Sequence, residues 1–291
     1  MKNQHINHLF VLGLATLFIS TSGTLGKFID LPTPVIIWSR SAIAAFCLLL
    51  FCVYKKFSIK IKSKKDTPTI ILSAVLMGLH WVTYFYALKL SNVALGMLSM
   101  FTFPVMTALL EPFFTKTKLN PIHLFLALLV LLGIYILAPE FNFENSQLKG
   151  ICFGLFSALC YALRNLILKR HVDNYNGTVL MTQQALIVTV LLLPVLFLMD
   201  IENISTQFPY LIILGLVTTA IGHSMFISSL KHFSVSTASI IGSAQPICGI
   251  IIAFFFLNEI PTRNTFFGGA LILATVFIES IRSKKPKDIE K

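Results

Sequence analysis

Charge is scarce in this sequence. Asp, Glu, Lys and Arg make up only 12% of the 291 residues, against roughly 25% in a soluble domain. Acids are the scarcer sign, 12 against 23 Lys and Arg. That deficit excludes a soluble enzyme carrying a disordered tail, and it excludes a nucleic-acid binder. The five cysteines, Cys47, Cys52, Cys152, Cys160 and Cys248, lie in apolar runs with no CxxC and no Cys/His ligand spacing. A disulfide framework or a metal site is therefore not expected, and they read as small packing residues. GxxxxGK[ST], HExxH and GxSxG are all missing, so no ATPase, zinc-protease or serine-hydrolase chemistry is expected and no cofactor is called for. The loops are too short to assemble a nucleophile–base pair, so the chain is not expected to be an enzyme. Alternating strands of about 10 residues are also lacking, which rules out a transmembrane β-barrel.

Apolar residues are abundant, at 56%, with a mean hydropathy of +0.82. They gather into ten segments: Leu9–Gly26, Val35–Val53, Thr69–Leu88, Val93–Phe114, Ile122–Ala138, Leu148–Leu168, Thr178–Met199, Phe208–Ser229, Val235–Leu257 and Thr265–Ile281. A spanning helix uses about 20 residues, so ten would consume most of the chain. Backbone groups in lipid must be paired within their own segment. The expected fold is an all-α integral membrane protein of ten transmembrane helices. The first segment is preceded only by Lys2 and contains the small-residue run Ser20-Thr21-Ser22-Gly23. It is long for a signal-peptide core and no soluble domain follows, so it is read as an uncleaved span.

The basic residues are distributed unevenly between alternate loops. With the N-terminus inside, the inner set holds 17 Lys and Arg and the outer set only Lys27, Lys89, Lys149 and Arg263. By the positive-inside rule both termini are expected to be cytoplasmic. The inner run Lys55–Lys65 is expected to face anionic lipid headgroups, not nucleic acid.

The sequence repeats itself at one offset. Leu88-Lys89 and Leu230-Lys231, Val93 and Val235, Pro104 and Pro246, and Phe113-Phe114 and Phe255-Phe256 are each 142 residues apart. The halves, residues 1–143 and 144–291, each hold five segments. Because five is odd, the second copy is inserted upside down. Inverted repeats are the architecture of secondary transporters, with the substrate site near the midplane between the halves.

Several stretches carry a family resemblance: the 5+5 halves, the run Pro34–Arg40 entering the second segment, Ala87–Ala94, the paired prolines, and Phe254–Glu259 closing the ninth segment. Together they resemble the EamA-like branch of the drug/metabolite transporter superfamily across nearly the whole chain. One departure is that position 117, which the offset pairs with Glu259, is Thr. The resemblance implies a ten-helix carrier of the cytoplasmic (inner) membrane, often an exporter of amino acids or other metabolites, and it leaves the cargo open.

Polar groups inside apolar spans cost about 2.5–3.5 kcal/mol each on insertion scales and need a reason. Arg40 is either an anchor for a carboxylate or phosphate, or a structural residue that snorkels outward or pairs with carbonyls. His80, Trp81 and Tyr84 lie close together in the third segment, and in the other copy His223 corresponds to position 81 and Phe226 to position 84. These residues line an aromatic pocket with titratable donors, or else they make interhelical bonds and face lipid. Ser99, Thr102 and Phe103, and Ser243 and Gln245, precede the paired prolines. Each proline leaves a carbonyl four residues back without its donor. The expected result is a kink beside a cavity wall, or kinked packing alone. Tyr161 and Arg164 mark the sixth segment, Arg164 as an inner gate or a headgroup contact. Glu111 either pairs with Lys116 or lines the inner exit. Lipid-facing control positions are expected on Ile122–Ala138, Leu129 among them.

The expected function is a secondary transporter exporting or exchanging a small amphipathic metabolite, most simply an amino acid. A carrier taking up a nucleotide-like or cofactor solute is the alternative. It calls for more than one mid-membrane cation, and only Arg40 is arguably placed there. An integral-membrane enzyme is the remote third reading. Oligomeric state and coupling ion have no signature in the residues.

Overall fold

The structure, a computed structural model, describes residues 2–115, 121–138, 142, 144–202, 204–233 and 235–283. All of its regular elements among these residues are helices. They are α1 (Lys2–Phe28), α2 (Thr33–Tyr54), α3 (Thr67–Leu90), α4 (Val93–Met100), α5 (Phe103–Thr115), α6 (Pro121–Leu137), α7 (Ser146–Lys169), α8 (Gly177–Leu192), α9 (Val195–Leu198) and α10 (Ile204–Ile213). A π-helical stretch (Leu214–His223) follows, then α11 (Ser224–Ser229), α12 (Val235–Gly242), α13 (Ala244–Leu257) and α14 (Arg263–Ser283). Helix starts are set by side chains: Asn92, Asn145 and Asn176 each accept a first-turn backbone N–H at 2.8 Å, satisfying a donor that the helix itself leaves orphaned.

Among the described residues, seven helices, counting α4–α5, α8–α9 and α10–α11 as single crossings, are long and apolar enough to span a bilayer. Three shorter apolar helices, Pro121–Leu137, Ala244–Leu257 and Arg263–Ile278, fall on the fifth, ninth and tenth apolar segments. The outer surface is greasy: Phe113, Phe197, Phe255 and Phe256 are all more than two-thirds exposed. Helix α6 shows the logic, burying Leu126, Val130, Gly133 and Leu137 at helical spacing while Leu124, Leu128, Leu131 and Tyr135 point outward. A surface of that kind suits lipid, not water. Leu129 does not face outward as expected. It is half-buried against the cluster of Val105, Leu126 and Val130. Cys52 and Cys160 are buried as packing residues, whereas Cys152 sits on an exposed face of α7.

Packing repeats between the halves. Helix α3 lies against α7 much as the π-helical stretch and α11 lie against α1, and α5 meets α7 as α13 meets α1, while the repeat mates α2 and α8, and α6 and α14, pack on each other across the halves. The α6–α14 crossing rests on Gly133 and Gly268: a Cβ at Gly268 would sit 2.7 Å from the Gly133 carbonyl. A further matched pair had gone unread in the sequence. Lys27 Nζ donates to the carbonyls of Lys89 (3.2 Å) and Ser91 (2.7 Å). Lys169, 142 residues on, donates to those of Leu230 (2.6 Å) and Phe233 (3.3 Å).

The fourth and ninth segments are broken, not merely kinked. Helix α4 ends at Met100 and α12 at Gly242, the two residues whose carbonyls Pro104 and Pro246 leave without a donor. New helices start at Phe103 and Ala244, putting each proline in a first turn, where its missing N–H costs least. The π-helical stretch and the break before α9 at Leu193-Pro194 had no counterpart in the apolar pattern.

Candidate functional site

Where the broken helices meet α1, α3, α7 and the π-helical stretch, a small cavity of about 20 Å³ lies in the centre. It is lined by Ile19, Ser22, His80, Trp81, Tyr84, Met100, Phe101, Tyr161, His223 and Gln245. Six of these, His80, Trp81, Tyr84, Tyr161, His223 and Gln245, are positions singled out in the sequence. That volume holds about one water and is far below the roughly 300–1,000 Å³ of a metabolite pocket. This conformation therefore encloses its centre, and a solute enters only if the helices part.

The wall is a run of touching rings. Tyr161 packs at 4.5 Å from His80 and 4.9 Å from Phe103, with Phe226 at 6.2 Å. Trp81 meets His223 edge-on at 5.6 Å. The two repeat-related rings thus converge on each other. The Ser157 hydroxyl donates to the His80 carbonyl (2.9 Å), so its oxygen must accept from His80 Nδ1 at 2.8 Å. That fixes Nδ1 as the protonated nitrogen and leaves Nε2 as the acceptor of the neutral ring. Among the described residues, Trp81 Nε1 and His223 Nδ1 are buried without a hydrogen-bond partner.

Arg40 is fully buried and does not snorkel. Its Nε and Nη2 donate to Thr219 Oγ1 at 3.0 and 2.9 Å, with Thr218 Oγ1 and Ser22 Oγ each at 3.4 Å. Both threonine hydroxyls donate back to the Leu214 carbonyl, turning their lone pairs toward the guanidinium. The π-helical winding places the two threonines side by side for this, a local irregularity of the kind found at functional sites. The guanidinium carbon lies 4.4 Å from the Trp81 ring centroid and 5.4 Å from that of Phe85, a cation–π arrangement worth up to about 2 kcal/mol when desolvated.

Arg164 is also fully buried, so it does not snorkel to lipid headgroups. It donates to Asn165 Oδ1 (2.8 Å) and Gln184 Oε1 (2.6 Å), and Gln184 passes a bond on to Ser73 Oγ (2.9 Å). Its guanidinium carbon lies 5.7 Å from the Tyr161 ring centroid.

Other singled-out residues lie elsewhere. The Ser99 and Thr102 hydroxyls bond to carbonyls of their own helix (Leu95 and Gly96; Ser99) and stay out of the cavity. Ser243 is half-buried at the second helix break and does not line it. Glu111 is half-buried near the end of α5; Lys116, its expected partner, lies outside the described residues, as does the basic tail from 284 onward. Ile19, Ser22, Phe101, Ser157, Thr218, Thr219 and Gln184 are not among the expected site residues, whereas Met100, whose carbonyl Pro104 frees, lines the cavity as the proline pattern implies. Polarity within an apolar span was the signal available for Ser22, the Thr218-Thr219 pair and Gln184. The apolar members carried none.

Polar bridges also join the halves at two other places. After α13, Asn258 takes a left-handed φ of 54°, and Glu259 accepts the Val93 N–H at 2.8 Å. On the Lys55–Lys65 side, Tyr175 donates to Asp66 (2.7 Å) and accepts from the Lys62 backbone (3.0 Å), Lys62 Nζ reaches the Asn174 carbonyl (2.6 Å), and His171 bonds Thr69 (2.9 Å). Burial holds His171 below its ordinary range, with Asp66 pulling the other way. Lys62 thus reaches the second half through Asn174.

This is a polytopic membrane protein of two packed repeats, greasy outside and polar at its centre. Residues 7–138 and 148–281 each match the EamA-like transporter family, and the chain belongs to that family. It is 23% identical to the "Uncharacterized transporter YwfM" of Bacillus subtilis, over 98% of this chain and 97% of that one. It is 22% identical to the pseudopaline exporter CntI of Pseudomonas aeruginosa, over 88% of each, and 23% identical to the S-adenosylmethionine uptake transporter of Rickettsia conorii, over 84% and 82%. A solved structure titled "Crystal structure of protein" superposes with a TM-score of 0.69 at 18% identity, covering 96% of this chain and 99% of that one, so the fold is shared. The chain is a small-molecule transporter of the drug/metabolite type, embedded in the membrane by multiple helices.

Proposed function

We propose that this protein moves a small amphipathic metabolite, an amino acid or a related solute, out of the cell by alternating access. The path runs through the cavity between residues 1–143 and 144–291. In this reading the apolar segments make ten crossings with both termini in the cytoplasm, and no catalytic step is involved. The observation that carries it is the placement of Trp81 and His223, related by the repeat, against each other in one enclosed centre. Inverted repeats that exchange conformations open such a centre first to one face and then to the other. The bridges at Glu259 and at Tyr175–Asp66 are the contacts that would break in turn. The opposite directions in the names of two relatives, an exporter and an uptake transporter, make direction a property of each member and not of the fold.

The test is counterflow in proteoliposomes preloaded with amino acids, organic acids, purines or cofactors. We expect trans-stimulated uptake of at least one labelled amino-acid-like solute. Exchange confined to nucleotides or cofactors would replace the cargo assignment by the uptake alternative. No exchange of any solute, together with a measured turnover of a lipid or soluble substrate, would overturn the transport reading.

A further inference from the structure

Two arginines, not one, stand behind the cavity wall. Arg40 stacks on Trp81 and bonds Ser22, both of which line the cavity; Arg164 lies over Tyr161, which lines another part of it. Both are fully buried. Every hydrogen bond of Arg40 goes to a neutral hydroxyl, and those of Arg164 go to carboxamide oxygens. Among the described residues no carboxylate joins either guanidinium or lines the cavity. Neutral dipoles soften a buried charge without cancelling it, so the centre holds two uncompensated positive charges in a low dielectric. The nitrogens left without partners have the same polarity. Trp81 Nε1 and Arg164 Nε can only donate, and His223 Nδ1 donates in one of its two neutral tautomers and in the cation. A site with spare positive charge and spare donors is complementary to an acceptor that carries negative charge.

Resting on the transport reading above, we infer that the solute taken into this cavity is an organic anion, carrying a carboxylate or phosphate group in excess of any positive charge of its own. The acidic group lies toward Arg40, Trp81 and His223, and Arg164 contributes long-range attraction through the Tyr161 wall. The rings contact the apolar body of the same molecule. It sets Arg164 beside Arg40 as a second buried cation behind the cavity wall, and it narrows "amphipathic" to acidic.

The experiment measures ligand-induced thermal stabilisation of the purified, detergent-solubilised full chain, since a ligand that binds only the folded state raises the melting temperature. The probes are succinate, glutamate, phenylacetate and glycerol 3-phosphate, each beside an uncharged counterpart (succinamide, glutamine, phenylacetamide, glycerol). We expect at least one anion to stabilise the protein and its counterpart not to. In Arg40→Lys, which keeps the charge, the half-saturating concentration should rise less than in Arg40→Gln, where it should rise by about tenfold or more. Arg164→Gln should weaken the same anion. If Arg40→Gln does not fold, Arg40→Lys and Arg164→Gln carry the comparison. Carboxylate and phosphate are separated by which probe responds. Stabilisation by neutral members as strong as by their anions, or by no anion at all, would overturn the inference. Counterflow of a neutral or cationic solute would sink it while leaving transport intact. Anion binding with no counterflow would sink transport and leave the anion site.

Discussion

Trp81→Ala will reduce transport by about tenfold or more at equal reconstituted protein, an effect at the scale of losing a buried interaction of one to two kcal/mol. The side chain is 1% exposed and touches everything the proposed site depends on. Its face carries the Arg40 guanidinium at 4.4 Å, its edge meets His223, and its indole N–H is unpartnered beside the cavity. Alanine removes all three. Phenylalanine keeps a ring under Arg40 and removes only the donor, so Trp81→Phe should fall between wild type and Trp81→Ala. Tyr84→Ala, on the next turn and stacked at 6.0 Å on His80, should follow the same trend more weakly. Leu128→Ala, at a site 64% exposed on α6, is the control, because Leu129 is half-buried. Initial rates decide the matter: if Trp81→Ala transports as well as Leu128→Ala, the ring is packing and the site lies elsewhere.

The second large effect falls on folding. Gly154→Ala will markedly lower the melting temperature, whereas Gly13→Ala, its repeat mate at an offset of 141, will not. A Cβ at Gly154 would lie 2.0 Å from Ser99 Oγ and 2.8 Å from Ser99 Cβ, while nothing lies within 4 Å of one at Gly13. Turning the hydroxyl away still leaves the Cβ contact, so α4 and α7 must separate; overpacking of this kind costs about 1–3 kcal/mol. Helix α4 ends at Met100, which lines the cavity, so transport should fall with stability. Ser99→Gly in the Gly154→Ala background removes the colliding atoms and should restore the melting temperature, a coupling that separates a local clash from general helix damage. Equal loss in the two glycine variants, or no rescue, would contradict the close approach seen here.

Hydropathy alone located the apolar helices, because lipid demands a stretch of fixed length and Lys and Pro punctuate its ends. The repeat was legible for the same reason: Lys89 and Lys231, or Pro104 and Pro246, are rare letters in an apolar text. The site was half legible. His80, Trp81, Tyr84, Tyr161, His223 and Gln245 stood out as polar or amphipathic in apolar runs and do meet around one cavity. Ser99 and Thr102 carried the same signal but spend their hydroxyls on their own helix. A sequence does not distinguish a hydroxyl turned inward along its helix from one turned toward a neighbour. Arg164 reads as a residue near the end of its span, and position along the chain does not reveal that neighbouring helices, α3 foremost, bury it completely. The π-helical winding that pairs Thr218 with Thr219 on Arg40 has no compositional signature, and Phe101 looks like any other span residue.

The account stands most directly on alternating entry to the central cavity. In a variant lacking Cys47, Cys52, Cys152, Cys160 and Cys248, a single cysteine replacing Gln245 reports that access through its reaction with a membrane-impermeant methanethiosulfonate added to either face of sealed vesicles. Cysteines at Lys60 and Asn142 fix the two sides, and we expect them to react only from the cytoplasmic and only from the external face, respectively. For position 245 the predicted result is slow reaction from both faces, since the enclosed cavity of about 20 Å³ must open in turn to each. Reaction from one face only, or from neither, would contradict a transport path through this centre.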